Sequence, residues 1–417
     1  MLRAIGQAYR GAYSGIRRPV WLLTLTSLVN RSGTMVLPFL VLYLTKRRAF
    51  TTPEAGQAIS LYGIGALAGA YLGGYLADRI APRRIMIASL LATAGAFLVL
   101  QRLESRPAIY AMMLVLSIVG ESFRPANSAA IAAASPPAER VRSIALLRLA
   151  INTGMTAGSA LGGFLAHYSY AWLFWVDAGT SAAAALLLWL AFRKEPAVVP
   201  REAANLGLKL PAERTPWRDL PFLALMGLLF LLALVMFQTI GTFPLTLDRV
   251  QGLASTQIGL VLMVNTLLIV AFEMVIVHSL HGADPLKVMG VGSFLFCAGF
   301  ALLPLGHGFA FVTLTVLVWT LGEMLSMPML GGIVANRAGE RNRGGYMGLY
   351  NLALAGAFVL APIVGTWVYD RYGSAALWYA CLPVGLLLAV GLFALSPAFA
   401  HDVPRPEPRP AYHDAPT

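Results

Sequence analysis

From residue 20 to residue 396, apolar stretches of about twenty residues alternate with short polar ones. A helix rises 1.5 Å per residue, so about 20 mostly apolar residues are needed to cross the hydrocarbon layer of a bilayer. On that criterion the pattern predicts twelve spans, at 20–44, 57–78, 84–102, 108–134, 142–166, 172–192, 219–246, 256–278, 286–305, 309–335, 345–369 and 374–396. An even number of spans returns both ends of the chain to one side. The longest polar stretch between spans, 193–218, separates six spans from six. The expected organisation is an amphipathic cytoplasmic segment (1–19), a six-helix bundle (20–192), a cytoplasmic linker (193–218), a second six-helix bundle (219–397) and a disordered cytoplasmic tail rich in proline and charge (398–417).

Composition supports this pattern. Of the 417 residues, 58% are hydrophobic and only 12% are charged. A soluble domain carries about 25% charged residues, so the surface missing here must face lipid. The net charge of +12 does not indicate a nucleic-acid partner, because the lysines and arginines sit in short clusters between apolar runs. With the termini placed inside, 21 of the 31 lysines and arginines fall on the cytoplasmic side. Seven fall opposite, and three (Arg31, Arg124 and Arg148) lie within spans. That bias is the positive-inside pattern. It points to a multi-pass protein of a bacterial-type cytoplasmic (inner) membrane with both termini cytoplasmic. The cluster Lys46–Arg48 is the local exception and is expected to snorkel from the end of span 1. Residues 1–19 read as an interfacial helix rather than a cleavable signal. Cys297 and Cys381 fall in apolar runs, which excludes a disulfide framework and a cysteine-based zinc site.

The two halves repeat each other. Gly120-Glu121 matches Gly322-Glu323 at a shift of 202, and Gly33-Thr34 matches Gly241-Thr242 at a shift of 208. Pro82-Arg83-Arg84-Ile85-Met86 matches Pro285-Leu286-Lys287-Val288-Met289, and Glu139-Arg140 matches Glu340-Arg341. Four matches in one order indicate a duplicated six-helix unit, with a binding site expected near midplane between the copies.

The loop Gly74-Tyr75-Leu76-Ala77-Asp78-Arg79-Ile80-Ala81-Pro82-Arg83-Arg84 resembles the signature loop of the major facilitator superfamily, Gly-x-Leu-Ala-Asp-Arg-x-Gly-Arg-Arg. The resemblance implies an all-α membrane protein with twelve transmembrane helices in two pseudo-symmetric six-helix bundles. It also implies a conformational-gating role for Gly74, Asp78, Arg79, Arg83 and Arg84, with Asp78 helping to lock the cytoplasmic faces together. Gly154, Gly158, Gly162 and Gly163 in span 5 resemble the glycine-rich motif of the superfamily's antiporters, without its usual proline. The first three are further gating candidates. Spacings of four also place small residues on one face for close helix packing. Trp319-Thr320-Leu321-Gly322-Glu323-Met324-Leu325-Ser326-Met327-Pro328, followed by Arg343-Gly344-Gly345-Tyr346-Met347-Gly348, resembles the LmrP-like and MdtH-like drug:proton antiporters. In that group the span-10 glutamate is thought to take part in proton coupling or cation binding, which carries over to Glu323. The aspartate which that pattern has in span 5 is absent from Ala145-Leu146-Leu147-Arg148.

An ionisable group at bilayer depth costs at least ~2.5–3.5 kcal/mol, so each such group needs a reason. Glu323, Glu121 and Glu273 are the proton-coupling candidates. Glu323 has no basic residue three or four positions away on its own helix, whereas Glu121 precedes Arg124 by three and can pair with it. Asp177 is expected at the membrane boundary. The substrate-cavity candidates are Asn30, Arg31, Arg124, Arg148, Asn152, Gln238, Asn265, Trp319 and Met327. Aromatics such as Phe39, Tyr43, Phe237 and Phe243 either line a pocket or pack helices. Proton-coupled peptide transporters carry Glu-x-x-Glu-Arg in span 1. The matching positions here are Ser27, Leu28, Val29, Asn30 and Arg31, which argues against peptide uptake by that mechanism. Pro38, Pro125, Pro244 and Pro328 are expected to bend spans 1, 4, 7 and 10.

The expected function is secondary active transport, as proton-coupled antiport (efflux) of amphiphilic or cationic drug-like molecules by alternating access. The alternatives are a carrier of an anionic metabolite, sugar or lysophospholipid, and a non-transporting scaffold or receptor. No Ser-His-Asp set, histidine cluster or phosphate-binding glycine loop indicates an enzyme. The expected partners are a small-molecule substrate, protons and the lipid bilayer, with no nucleic acid. No cofactor is expected, a proton gradient supplies the energy, and the chain is expected to be a monomer.

Overall fold

The structure is a computed structural model and describes residues 16–77, 79–136, 140–193, 215–280, 283–338 and 343–400. Most of the N-terminal segment, the linker and the tail, together with Asp78, lie outside the described residues.

Twelve helices are long and apolar enough to cross a membrane. Spans 1 to 6 are Arg18–Arg47, Thr52–Ala77, Pro82–Arg102, Arg106–Ile131, Arg142–Tyr168 and Tyr170–Phe192. Spans 7 to 10 are Leu220–Thr239, Ser255–Glu273, Pro285–Leu305 and Phe309–Leu330. The last two follow closely on each other: Arg343–Tyr379 is broken by a non-helical residue, Gly373 (φ 85°, ψ 166°), and Cys381–Phe399 follows. That backbone conformation is open to glycine and strained for residues with a Cβ, so the chain turns there from span 11 into span 12.

Three of the four proline-bearing spans are interrupted just ahead of the proline. Span 1 is two helices, Arg18–Ser32 and Val36–Arg47, and Pro38 sits in the first turn of the second. Span 4 divides into Arg106–Glu121 and Phe123–Ala134 before Pro125. Span 7 runs Leu220–Met236, a 3₁₀ turn at Phe237–Thr239, then Thr242–Arg249 with Pro244 in its first turn. The first-turn N–H groups of a helix have no intrahelical acceptor, so proline forfeits nothing there. Span 10 is not interrupted: Phe309–Ala338 continues as one helix through Pro328.

The packing pairs repeat with the sequence. Span 2 packs on 4, 3 on 6 and 1 on 5; in the second half 8 packs on 10, 9 on 12 and 7 on 11. Between the halves, span 5 packs on 8 and span 2 on 11. The fold is therefore two pseudo-symmetric six-helix bundles.

The apolar core has three parts. One sits in the first half around Val20, Met86 and Leu188, at the end of the bundle that carries the termini. A second occupies the same end of the other half around Phe222, Met289 and Phe399. The third lies at the opposite, distal end and crosses both halves, joining Leu40 and Phe174 to Phe243, Phe300 and Trp378. The halves thus share a core distally and keep separate cores at the terminal end. Polar contacts between the halves occur distally and also toward the terminal end, where Arg148 of span 5 pairs with Glu273 of span 8. At the distal end Lys46 pairs with Asp248 (2.5 Å), and Arg249 Nη1 donates to Thr52 Oγ1 (3.0 Å). Arg48 donates to Tyr43 Oη (2.7 Å) and to the Gln101 carbonyl. The Lys46–Arg48 cluster is therefore held by protein partners.

Candidate functional site

Between the halves lies a cavity of about 130 Å³. Pro38 of span 1 and Met155 of span 5 face it from the first half. Met236, Asn265, Phe296, Trp319 and Glu323, from spans 7 to 10, face it from the second. The Glu323 carboxylate accepts a hydrogen bond from Asn265 Nδ2 (2.9 Å), which also reaches Thr320 Oγ1 (3.1 Å). Asn265 and Glu323 therefore bind each other across spans 8 and 10. Among the described residues, no lysine or arginine makes an ion pair with Glu323. Trp319 is stacked on Phe300 (centroids 5.1 Å apart), and its indole N–H is buried without a hydrogen-bond partner. A buried donor with no acceptor is rare and calls for an explanation. Here it belongs to a residue that lines the cavity. The site therefore offers a carboxylate and an amide among mostly apolar walls, with the hydroxyl residues Ser159, Thr239 and Thr266 also on the lining.

A second cavity, of about 60 Å³, lies wholly within the first half. Asn30 and Arg31 (span 1), Tyr62 (span 2), Thr93 (span 3), Glu121 (span 4) and Asp177 (span 6) line it. Glu121 pairs with Arg124 (3.4 Å), whose side chain is 68% exposed. Asn30 Nδ2 reaches Ser181 Oγ at 3.4 Å. Asp177, expected at the membrane boundary, is 2% exposed and lines this cavity. Its carboxylate accepts from Met35 N (3.0 Å) and Val36 N (3.0 Å), at the start of the helix that follows the break in span 1. A carboxylate is the favoured partner for a helix N-terminus. Its acidic identity could have flagged it in the sequence, but its partners lie more than 140 positions away.

The remaining candidates distribute as follows. Glu273 pairs across the halves with Arg148 (2.9 Å), whose side chain is 60% exposed. Asn152 lies along span 5, its carbonyl accepting from Thr156. Gln238 faces away from the cavity. It is buried in the break of span 7, where it donates to the Ala361 carbonyl (2.9 Å) and accepts from Thr242 Oγ1 (2.8 Å). Met327 packs against the distal core and does not line the central cavity. Phe39, Tyr43 and Phe243 are core residues as well. In the signature loop, the Arg79 guanidinium lies over the Tyr75 ring (3.9 Å) and Arg83 donates to the Phe192 carbonyl. Both contacts stay within the first half. Arg84 begins span 3, its N–H bonded to the Ala81 carbonyl, and Gly74 sits opposite Pro125 of span 4. In span 5, Gly154, Gly158 and Gly162 abut span 1 on either side of its break. Gly163 instead meets Gly259 of span 8, where a Cβ on either would lie 2.7 Å from the other's Cα.

Twelve membrane-crossing helices in two repeated bundles, with a cavity between them, define a secondary transporter. The chain belongs to the Major Facilitator Superfamily, whose sequence model matches residues 20–357 and 284–415. Among its relatives, the uncharacterized MFS-type transporter YqjV of Bacillus subtilis is 25% identical over 388 residues, covering 91% of this chain and 93% of the relative. The multidrug resistance protein MdtH of Aeromonas salmonicida is 24% identical over 401 residues, covering 91% and 96%. Among solved structures, the peptide transporter POT in complex with sulfate superposes with a TM-score of 0.77 at 16% identity, covering 94% of this chain and 96% of that one. The nucleoside transporter NupG gives 0.70 at 15% identity, covering 91% and 99%. At these identities the structures speak for the fold alone.

Proposed function

We propose that this transporter is a proton-coupled antiporter that exports amphiphilic or cationic drug-like molecules by alternating access across a cytoplasmic membrane. The observation that carries the reading is Glu323, a carboxylate without a cationic partner in an apolar cavity between the halves. Such a group is neutralised either by a proton or by a bound cation. Competition between the two is the simplest route to exchange. Met155, Met236, Phe296 and Trp319 supply the soft, aromatic walls that suit varied apolar bodies. The multidrug resistance proteins among the relatives support this substrate class.

The test is efflux of a fluorescent lipophilic cation from proteoliposomes under an imposed pH gradient. Glu323→Gln is expected to reduce pH-driven flux to that of empty liposomes while substrate binding stays measurable. Normal coupled flux in that variant removes Glu323 from the mechanism. A second reading, an anionic substrate, is favoured by Arg31, for which no ion pair is formed among the described residues. Counterflow with anionic substrates in the same liposomes separates the two, and counterflow with neither class would favour a non-transporting role.

A further inference from the structure

The cavity inside the first half has no part in the mechanism above, yet it is built from polar groups. Thr93 is 8% exposed and its hydroxyl has no hydrogen-bond partner. It lines the same space as Asp177 and Glu121. A buried water needs roughly 10–15 Å³ of such volume and two to four polar neighbours. A cavity of about 60 Å³ therefore has room for several waters.

Asp177 lines the cavity and, among the described residues, makes no ion pair. Its carboxylate accepts from backbone N–H groups of span 1. The other ionisable groups on the cavity are Arg31 of span 1, Tyr62 of span 2 and Glu121 of span 4. Span 3 contributes only neutral residues, Ser89, Leu90, Thr93 and Phe97, and from span 5 no residue lines the cavity. Arg148 of span 5 is engaged with Glu273. Glu121 is the ionisable group of the cavity that pairs with a largely exposed residue, Arg124.

We propose that this cavity is a second protonation site, with Asp177 as the buried acceptor and Glu121 as the group at its mouth. The O–H bond of protonated Glu121 breaks, a cavity water relays the proton, and an O–H bond forms on Asp177. Neutral Asp177 accepts more weakly from Met35 N–H and Val36 N–H, because charge-assisted hydrogen bonds are about twice as strong as neutral ones. The helix Val36–Arg47 is thereby released at its N-terminus. That helix carries Pro38 on the central cavity and Lys46 in the distal ion pair. Protonation in the first half is thus transmitted to both contacts with the second. The inference rests on the proton-coupled reading only for its use in a transport cycle.

Infrared difference spectra of the full-length protein, recorded between acidic and alkaline buffer, test it without a substrate. The spectra are recorded in the Glu323→Gln background, so that the carboxyl proposed for coupling contributes nothing. A carboxylic C=O band is expected to disappear at high pH, carbon-13-labelled aspartate should shift it, and Asp177→Asn should remove it. Glu121→Gln should slow its disappearance severalfold and leave its amplitude intact. The absence of any aspartate-shifted band, or an unchanged one in Asp177→Asn, overturns the proposal. If Asp177→Asn fails to fold, Asp177→Glu decides, because the band must then become insensitive to labelled aspartate. Loss of coupled flux in Glu323→Gln with no aspartate band would leave a single proton site and refute only this inference.

Discussion

Spans 1 and 7 occupy equivalent places in the two halves, and both are interrupted at a Gly-Thr pair. In span 1 the open N–H groups are capped by the Asp177 carboxylate of span 6. In span 7 the irregular turn is bridged by the Gln238 amide to the Ala361 carbonyl of span 11. Gly33 lies hard against span 6, where a Cβ would come 2.8 Å from Thr180 Cβ, whereas Gly241 has nothing nearer than 3.8 Å. One break is closed by an ionisable group in a tight space and the other by a neutral one in a looser space. The second half instead keeps its unpaired carboxylate, Glu323, on the shared cavity. Duplication preserved where the helix breaks, and the copies diverged in the chemistry that closes it.

The terminal ends diverge too. In the second half Arg337 (6% exposed) and Asp219 (3% exposed) form a buried bidentate pair, with Tyr346 Oη donating to the same carboxylate. In the first half the corresponding end has a neutral hydroxyl pair, Ser135 with Ser143 (2.8 Å). Arg337→Ala leaves Asp219 uncompensated and should lower stability by about 3–5 kcal/mol in thermal or denaturant unfolding. Ser135→Ala should cost about 1 kcal/mol, and equal losses would erase the contrast. The ionic pair also has an acid limit. Burial alone would raise the Asp219 carboxyl, but hydrogen bonds from Arg337, Tyr346 and Phe222 N outweigh it and hold the group below the usual carboxylate range. Its stabilisation is therefore complete above the unfolded value of about 3.9 and is lost as pH falls through the lower folded value. A wild-type unfolding series at falling pH, with Arg337→Ala as the control lacking that dependence, checks the sign.

A smaller effect is expected at the break of span 7. Gln238→Leu removes the donor to Ala361 O and the acceptor for Thr242, at about 1–3 kcal/mol. Its unfolding should show no dependence on pH beyond that of the wild type. The smallest effect is distal: Lys46 is half-exposed, so Lys46→Ala should cost under about 1 kcal/mol and progressively less at high salt.

Much of this fold was legible in the sequence because lipid imposes one rule on every span. The Gly-Thr repeat also marked both broken helices. Contacts between distant segments were less legible. Asp177 and Gln238 both bind groups of the chain at a helix break, because the partners of a polar residue come from neighbouring helices and not from its own sequence context. Glu323 and Asn265 could each be proposed as cavity groups, but their bond joins positions 58 apart on different helices. Pro328 looked like its three counterparts, yet its helix is unbroken. Composition alone does not reveal whether a helix is better supported by its neighbours than by its own ladder.

The meeting of Gly163 and Gly259 has a mechanical consequence. Where spans 5 and 8 touch there, main chain rests on main chain, with no interlocked side chains to disengage. Such a seam can serve as a fulcrum, letting one bundle tilt on the other with little local rearrangement. A methyl group added to either glycine would act as a wedge, setting the angle at which the bundles come to rest.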